Sequence, residues 1–420
     1  MEFKKYSLSD IADVQTGPFG SQLHKEDYVE TGTPIITVEH LGVNKIIHSN
    51  LPKVNKKDWE RLSKYALKKN DIVFSRVGSV DRCALVSDNE ENWLFSGRCL
   101  RVRVKNLDIV DPKYLSYYFA NKKFKRYIRS IAVGATMPSI NTKILSEIQI
   151  EIPDIDSQRK VADLFYSLDS KKWINESIIE NLGHISKTFF KRWFVDFEFP
   201  NEEGKPYKTS GGKMVESELG MIPKDWKVEF LHDFVDFLSG GTPKTTVQEY
   251  WNGSIPFFTP KDAKTNLYTT ITEKTITELG LEKCNSKLYP KNTLFITARG
   301  TVGKLALANK AMAMNQSCFA LKHKENQQFY LYHVVENLVK KIILGANGAV
   351  FSAINLSDLK HLKYIYSNEN LISKFENTVS FFYDQMSLLE EENIKLQQIR
   401  DSLLPKLLSG EIKISDELEV

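Results

Sequence analysis

The chain has 420 residues. A chain of this length usually exceeds what a single hydrophobic core can organise, so two globular domains are expected. Hydrophobic residues make up 42% and charged residues 26%, and no apolar run approaches the roughly 18 residues needed to cross a bilayer, which argues against a membrane protein or a membrane partner. The net charge of +4 permits nucleic-acid binding but does not by itself indicate it.

The N-terminal segment and the cysteines indicate the compartment. The segment 1–14, MEFKKYSLSDIADV, lacks the apolar core and the cleavage site of a secretory signal, so we expect a cytoplasmic protein. Cys83, Cys99, Cys284 and Cys318 show no CxxC or Cys/His clustering. We therefore expect buried free thiols, with neither disulfides nor a metal site.

One internal duplication organises the whole chain. IADVQTG at 11–17 corresponds to FVDFLSG at 234–240, and the offset between paired residues drifts from 223 to 214 along the repeat, as loop insertions would cause. The paired positions are Pro34 with Pro256, Thr37 with Thr259, Asn44 with Asn266, Asn70 with Asn292, Gly78 with Gly300, Cys99 with Cys318, Gly134 with Gly348, Ile140 with Ile354, Asn141 with Asn355, and Leu145 with Leu359.

Each repeat ends in a long predicted helix, over 158–194 and 371–408, where apolar residues recur three or four positions apart. With an offset of 214 the two apolar stripes coincide, and we expect them to pack on each other because two small globules could not bury both. Asn175 interrupts the first stripe and would help to fix its register. The predicted packing residues are Val161, Phe165, Leu168, Leu182, Ile185, Phe189, Phe375, Val379, Phe382, Leu396, Ile399 and Leu403.

The sequence thus predicts an α+β protein with two tandem, similar, strand-rich domains, each followed by a long helix. The two helices are expected to form an antiparallel, coiled-coil-like rod. The predicted boundaries are 1–155 for the first domain, 156–198 for the first helical region, 199–225 for a linker, 226–368 for the second domain, 369–410 for the second helical region and 411–420 for a tail.

Sequence motifs of catalysis are missing. Gly303 and Lys304 suggest a phosphate loop, but Ala298 and Leu305 stand where the motif needs Gly and Ser or Thr. We find no Gly-rich cofactor loop, no Asn/Asp-Pro-Pro-aromatic pocket of an adenine methyltransferase, no HExxH and no GxSxG. A binding protein is therefore favoured over an enzyme.

Five segments of the second half carry a family resemblance: SGGTPKT at 239–245, EYWNGSIPFFTPKDA at 249–263, TELG at 277–280, YPKNTLFITARGTVGKLAL at 289–307 and NQSCFAL at 315–321. In this order they closely resemble the target recognition domains of Type I restriction-modification specificity subunits. SQRKVADLFYSLDS at 157–170 and SKFENTVSFFYDQ at 373–385 resemble the helical regions that follow each such domain. The first half departs from the pattern at GPFGS (17–21) and GRC (97–99), as a different half-target would require.

The resemblance implies a function and a set of partners. The two domains would be target recognition domains that read the two parts of a split site in double-stranded DNA. The helices would bind two modification subunits that carry S-adenosylmethionine, and restriction subunits would add translocation and cleavage driven by ATP and Mg²⁺. The chain itself would be non-catalytic and hold no cofactor.

DNA reading requires Arg, Lys, Asn, Gln or His side chains on loops that reach base edges or phosphates. The loops of the first domain supply Gln22, His24, Lys25, His40, Asn44, Lys45, Arg76 and Arg82. Those of the second domain supply Lys244, Lys261, Lys264, Asn266, Arg299 and Lys304. We expect Asn141 and Asn355 to cap helices instead, and Gly78 and Gly300 to serve turns.

Two other classes of protein remain open. One is a diverged restriction or methylation enzyme with fused recognition domains, which incubation with DNA, Mg²⁺ and S-adenosylmethionine would reveal. The other is a protein-binding adaptor, which a DNA pulldown with and without modification subunits would separate from a DNA reader.

Overall fold

The structure is a computed structural model that describes residues 2–20, 22–264, 266–300, 302–345 and 354–414. It divides into two units. The first comprises Met1–Lys172 and Lys395–Val420, and the second comprises Trp173–Ile394. Each predicted long helix therefore contributes residues to both units.

Short strands and one very long helix make up the first unit. Its strands are β1 (Lys4–Ser7), β2 (Ala12–Thr16), β3 (Tyr28–Val29), β4 (Thr33–Ile36), β5 (Lys53–Val54), β6 (Ile72–Ser75), β7 (Cys83–Leu85), β8 (Leu94–Phe95), β9 (Cys99–Val104) and β10 (Gln149–Ile152). Its helices are α1 (Leu8–Ile11), α2 (Lys56–Arg61), α3 (Pro112–Ala120), α4 (Lys122–Ile131), α5 (Thr142–Ser146) and the start of α6 (Ile155–Phe190). A π-helical turn, Lys191–Val195, continues α6.

The second unit repeats this order. Its strands are β11 (Met214–Ser217), β12 (Gly220–Pro223), β13 (Lys227–Phe230), β14 (Val235–Ser239), β15 (Trp251–Phe258), β16 (Tyr268–Thr269), β17 (Lys274–Ile276), β18 (Leu294–Thr297), β19 (Leu305–Ala308), β20 (Ala313–Met314), β21 (Cys318–His323) and β22 (Lys363–Tyr366). Its helices are α7 (Leu231–Phe234), α8 (Glu278–Glu282), α9 (Gln328–Gly345), α10 (Leu356–Lys360) and most of α11 (Glu369–Leu408).

The sheets confirm the duplication. In the first unit an antiparallel sheet has the order β2-β9-β6-β7, and the second unit contains the same arrangement as β14-β21-β18-β19, extended by β16. A parallel pair, β4 with β8, has its counterpart in β15 with β20. The first and last strands of each domain also pair, as β1 with β10 and as β13 with β22.

Paired residues adopt the same backbone conformation in both repeats. Asn70 and Asn292 are left-handed, at φ 70° and 67°, and Gly78 and Gly300 have φ values of 79° and 80°. At these glycine positions a side chain would be strained, which explains the residue type. The predicted caps are confirmed: the Asn141 side chain accepts a hydrogen bond from Ile144 N, and the Asn355 side chain accepts one from Asp358 N, both at 2.8 Å. Gly348 lies outside the described residues.

The long helices run antiparallel within each unit, as predicted. In the first unit Arg400 Nη1 donates to Asp169 Oδ1 at 2.9 Å, and Lys172 Nζ donates to Gln397 Oε1 at 3.0 Å. Because Lys172 follows Asp169 while Gln397 precedes Arg400, the two chains run in opposite directions. In the second unit Asn175 Nδ2 donates to Asn393 Oδ1 at 3.0 Å.

The helix stripes pack differently from the prediction. Val161 and Phe165 are fully buried in the sheet core of the first unit, whereas Phe375 and Val379 are fully buried in that of the second. Each stripe is thus covered by its own domain as well as by the opposite helix. The domains present apolar faces that the spacing of apolar residues in the helices does not reveal. The other predicted packing residues that lie partly buried against these cores are Leu168, Leu182, Phe189, Phe382 and Leu403.

Two predicted packing residues are exposed, and the prediction is wrong for them. Ile185 is 42% exposed and Ile399 is 44% exposed, and Leu396 is half-buried. Polar residues occupy part of the seam instead, including Asn175 and Ser186, both completely buried. A search for apolar spacing discards such residues, although Asn175 Nδ2 donates to Asn393 Oδ1 across the two helices and Ser186 Oγ donates to Leu182 O of its own helix.

The predicted linker contains ordered structure. Strands β11 and β12 form an antiparallel hairpin, and Ile222 of this hairpin is buried in the core of the second unit with Phe197 and Trp226. Phe199 stacks on Trp226, with ring centroids 5.2 Å apart. Aromatic residues bordering a Gly- and Lys-rich stretch therefore anchor it to the domain.

Candidate nucleic-acid interface

Four loops of the first unit meet where the strands of its antiparallel sheet end. These loops, whose described residues are 17–20, 22–27, 76–82, 96–98 and 133–139, are called the first loop cluster. Backbone hydrogen bonds hold them together, because Arg76 N donates to Arg98 O and Gly78 N donates to Pro138 O, both at 2.8 Å. A Cβ at Gly17 would lie 2.3 Å from Ser96 O, so only glycine permits this close approach.

The second unit holds a related set, residues 240–247, 259–264, 266–267, 298–300, 302–304 and 315–317, called the second loop cluster. Its loops from 240, 298 and 315 correspond to those from 17, 76 and 96 in the first cluster, whereas its loop from 259 corresponds to residues 37–45. The counterpart of 133–139 lies outside the described residues. Ala298 N donates to Ser317 O at 2.9 Å, the counterpart of the bond from Arg76 to Arg98. A Cβ at Gly240 would lie 2.2 Å from Asn315 O, matching Gly17. The duplication therefore extends to the loop backbone.

In the first loop cluster, His24, Lys25 and Arg82 are exposed, as a DNA-reading role requires. Arg76 is half-buried: its guanidinium lies 5.1 Å from the ring centre of Phe19, and Nη1 donates to Gly97 O at 3.2 Å. Arg76 thus also braces the loops around it.

Gln22 and Lys45 are less available than predicted. Gln22 Oε1 accepts a hydrogen bond from Tyr65 at 2.8 Å, and its carbonyl accepts one from Arg61 at 2.6 Å. Lys45 is half-buried on a different loop. Both side chains are therefore already in contact with the protein.

His40 and Asn44 are corrections to the predicted set, because they are only 2% and 3% exposed. The imidazole of His40 accepts a hydrogen bond from Thr37 N at 3.1 Å. Asn44 Oδ1 accepts one from Ser116 of α3. Their positions in a polar loop suggested exposure, but tertiary packing buries them.

Exposed cations dominate the second loop cluster. Lys244, Lys261, Lys264, Arg299 and Lys304 are all exposed. Asn266 is exposed as well, but its Nδ2 donates to Glu390 Oε2 of α11 at 3.0 Å. It ties the loop to the long helix and is a weaker candidate for reading bases.

A pocket of about 320 Å³ in the second unit brings Lys261 and Arg299 together with Lys274, Glu273 and Asn315. Lys261 Nζ lies 3.8 Å from Glu273 Oε2, and the lining as a whole carries three cations and one carboxylate, so its net charge is positive. Such a pocket suits a phosphate or the acceptor edge of guanine. Lys274 and Asn315 were not predicted. Asn315 belongs to the NQS segment at 315–317, and this family motif is the sequence signal that could have identified it as a site residue.

Arg82 and Lys304 occupy the same position in the two repeats, 222 residues apart, one residue before β7 and β19. Their carbonyls accept from Ser75 N at 2.9 Å and from Thr297 N at 3.0 Å, so the backbone fixes both while the side chains remain exposed. Arg98 in the first loop cluster is also exposed and was not predicted.

The buried titratable groups of the two domains include three thiols and the imidazole of His323. Cys83, Cys99 and Cys318 are buried, and burial raises the pKa of each thiol to about 12, so they stay protonated. Burial lowers the pKa of His323 to about 4. Within the described ranges no cluster of three or more His, Cys, Asp or Glu residues could hold a metal ion.

A family profile described as the Type I restriction modification DNA specificity domain matches residues 1–184 and 223–366, which are the two repeats. The chain belongs to this family. Membership in the DNA specificity domain family confirms the resemblance and the DNA-specificity function predicted from the sequence.

Relatives of this DNA specificity domain protein match along nearly the whole chain. The HindI specificity subunit of Haemophilus influenzae is 24% identical over 98% of this chain and 100% of its own length. The MjaIX specificity subunit of Methanocaldococcus jannaschii is 28% identical over 97% of this chain and 93% of its own. The repeats and the helices are therefore shared by full-length specificity subunits.

A solved structure supports the fold. The crystal structure of a Type I restriction-modification S subunit from M. genitalium is similar with a TM-score of 0.63 and 16% identity, covering 97% of this chain and 96% of that one. In the part of the chain that the structure describes, none of the helices is long and apolar enough to span a membrane.

Proposed function

We propose that each repeat of this specificity subunit reads one part of a split DNA target through its own loop cluster. One observation carries the proposal: the two clusters share a backbone frame but differ in the side chains on it. Arg82 and Lys304 are cations at a shared position, whereas Val77 of the first repeat corresponds to Arg299 of the second. A shared frame with different side chains suits two readers of different sequences.

The shared and unshared positions suit different tasks. A cation that both repeats keep suits phosphate contact, which carries no sequence information. Arg299, present in the second repeat alone, can donate in a bidentate manner to guanine O6 and N7, which is a specific contact. The proposal therefore assigns Lys304 to the DNA backbone and Arg299 to a base.

We propose further that α6 and α11 dock two modification subunits. In the second unit both helices expose large apolar residues, with Ile178 at 40%, Phe381 at 64% and Leu388 at 56% exposure. Exposed apolar side chains on long helices favour burial by a partner. Ile185, which is also exposed, lies seven residues after Ile178 and therefore on the same face of α6.

In this proposal the chain is non-catalytic and carries no cofactor. S-adenosylmethionine, ATP and Mg²⁺ act in the modification and restriction subunits, and the assembly works in the cytoplasm. The protonated, buried thiols and the missing sequence motifs support this division of labour.

The test is assembly of the purified chain with its modification subunits, followed by methylation of a random DNA library. We expect methylated adenines in one split motif, and no methylation by the chain alone. Methylation by the chain alone would favour the fused-enzyme alternative. Normal partner binding without any DNA selectivity would favour the adaptor.

A further inference from the structure

Helix α4 of the first repeat carries an unusual concentration of positive charge. Its sequence, KKFKRYIRSI, contains five Lys or Arg residues and no acidic residue, whereas the net charge of the entire chain is only +4. No candidate contact assigned above lies on this helix.

The cations of α4 form a stripe along one face. At 100° per residue, Lys122, Arg126 and Arg129 project away from Phe124 and Ile128, which are buried in the core of the first unit, and the half-buried Lys125 lies at the margin of this face. The stripe covers seven helical steps, about 10 Å. Phosphates of one DNA strand are about 3.4 Å apart along the duplex axis, so the stripe spans about three of them.

The stripe adjoins the first loop cluster. Arg129 forms an ion pair with Asp81, which lies between Gly78 and Arg82 in that cluster. At the other end Lys122 lies 4.0 Å from Asp401 of α11. Within the described residues no ion pair within 4.0 Å involves Lys125 or Arg126, and Arg126 is exposed while Lys125 is half-buried.

The second repeat provides an internal comparison. Helix α9 follows β21 as α3 and α4 follow β9, and it buries an equivalent apolar face, including Leu331 and Val335. On its outer side Lys340 pairs with Glu336, and no run of cations like that of α4 occurs in its sequence. The fold therefore does not require the stripe, because the same position is filled without it.

We propose that the α4 stripe binds the DNA backbone beside the half-target read by the first loop cluster. The proposal rests on the proposed function. Phosphate contacts add affinity and salt dependence without sequence preference. The first repeat would thus hold DNA more strongly than the second, independently of which bases it selects.

The test uses the full chain assembled with its modification subunits. The triple variant K122Q/K125Q/R126Q removes three of the four stripe cations and keeps Arg129, which is paired with Asp81, and K56Q/K57Q/K64Q removes three exposed lysines elsewhere in the same unit as a charge-matched control. Binding to the target, and to a target with the first half scrambled, is measured at several salt concentrations. We expect the stripe variant to bind about tenfold or more weakly and its log K against log salt slope to fall by about 2 to 3, with the selectivity ratio unchanged.

Three results would overturn the proposal: a slope equal to that of the control, a loss of selectivity without a change of slope, or weaker capture of modification subunits with the slope unchanged. The last would assign the stripe to a protein partner. If the unmodified assembly itself shows no selectivity, the proposed function fails, and that failure is visible before any stripe variant is examined.

Discussion

Asn44 and Asn266 occupy the same position in the two repeats, 222 residues apart, and each is tied to a helix of its own unit. Asn44 accepts a hydrogen bond from Ser116 of α3, and Asn266 donates to Glu390 of α11 at 3.0 Å. In both repeats this loop residue is thus hydrogen-bonded to a helix of its own unit.

Asn44→Ala should therefore destabilise the protein, by about 1–3 kcal/mol, because the hydroxyl of Ser116 loses its buried acceptor. Urea unfolding measures this, and Ser116→Ala combined with Asn44→Ala should recover part of the loss. A variant of normal stability that relaxes one base of the target would instead identify Asn44 as a reader.

Arg299→Ala should lose about 1–3 kcal/mol of binding free energy and relax a single base position, because a bidentate contact to guanine is specific. Competition binding against a panel of single-base target variants measures the preference. An equal loss on every target would assign Arg299 to a phosphate.

Lys304→Ala should weaken binding to all sequences alike and lower the salt slope by about one, and Arg82→Ala should do the same. The shared backbone position of the two residues is the reason to expect the same behaviour. A position-specific effect at either residue would contradict the assignment to phosphate.

The pH dependence of stability should change in Glu376→Gln. Burial raises the pKa of Glu376 from its usual 4.5 to about 7, although Phe329 N and Tyr330 N donate to its carboxylate at 3.0 and 2.9 Å. Between pH 4.5 and 7 the folded state therefore holds a proton that the unfolded state has released, and this contribution to stability is lost as the pH rises through 7.

Relative to the original protein, the Gln variant should gain stability from pH 4.5 to above 7, by up to about 3 kcal/mol. The two proteins are compared at each pH because both contain His323, whose pKa is lowered to about 4. This shift makes the stability of both proteins rise as the pH rises, and it cancels in the difference between them. Glu202→Gln, at an exposed position of the same unit, controls for loss of one carboxylate. A flat difference for Glu376→Gln would contradict the assigned shift.

Adding four residues to α6 near Asn175, with a matched insertion near Leu389 of α11, tests whether the helices set the spacing of the half-targets. Four residues add about 6 Å and rotate the helix about 40° beyond a full turn. This corresponds to one or two base pairs at about 3.4 Å each, so we expect both half-targets to persist with a longer spacer. An unchanged spacer in an active variant would show that the helices do not set the spacing and serve only to dock the modification subunits.

The duplication made much of the fold predictable. Fixed offsets between residues such as Asn70 and Asn292 reflect a shared backbone, and the left-handed conformation of both confirms this. Apolar spacing located α6 and α11 because helices of this length need a continuous buried face.

Side-chain environments were less predictable, for physical reasons. Exposure in a loop depends on distant segments, so Asn44 is buried by Ser116, which is 72 positions away in the sequence. Ile185 and Ile399 have the spacing of the apolar stripe but are exposed, whereas the polar Asn175 is completely buried between the helices. The pocket around Arg299 includes Lys274 from a neighbouring strand, which no motif connected to it.

The central claim is that the two repeats read the two parts of the target independently. The most direct measurement is methylome sequencing of cells in which residues 1–155 are replaced by the matching segment of a relative, beside cells that carry the original chain. We predict that one half of the split motif changes while the other half stays the same. Changes in both halves, or in neither, from a stable and active chimera would contradict independent reading.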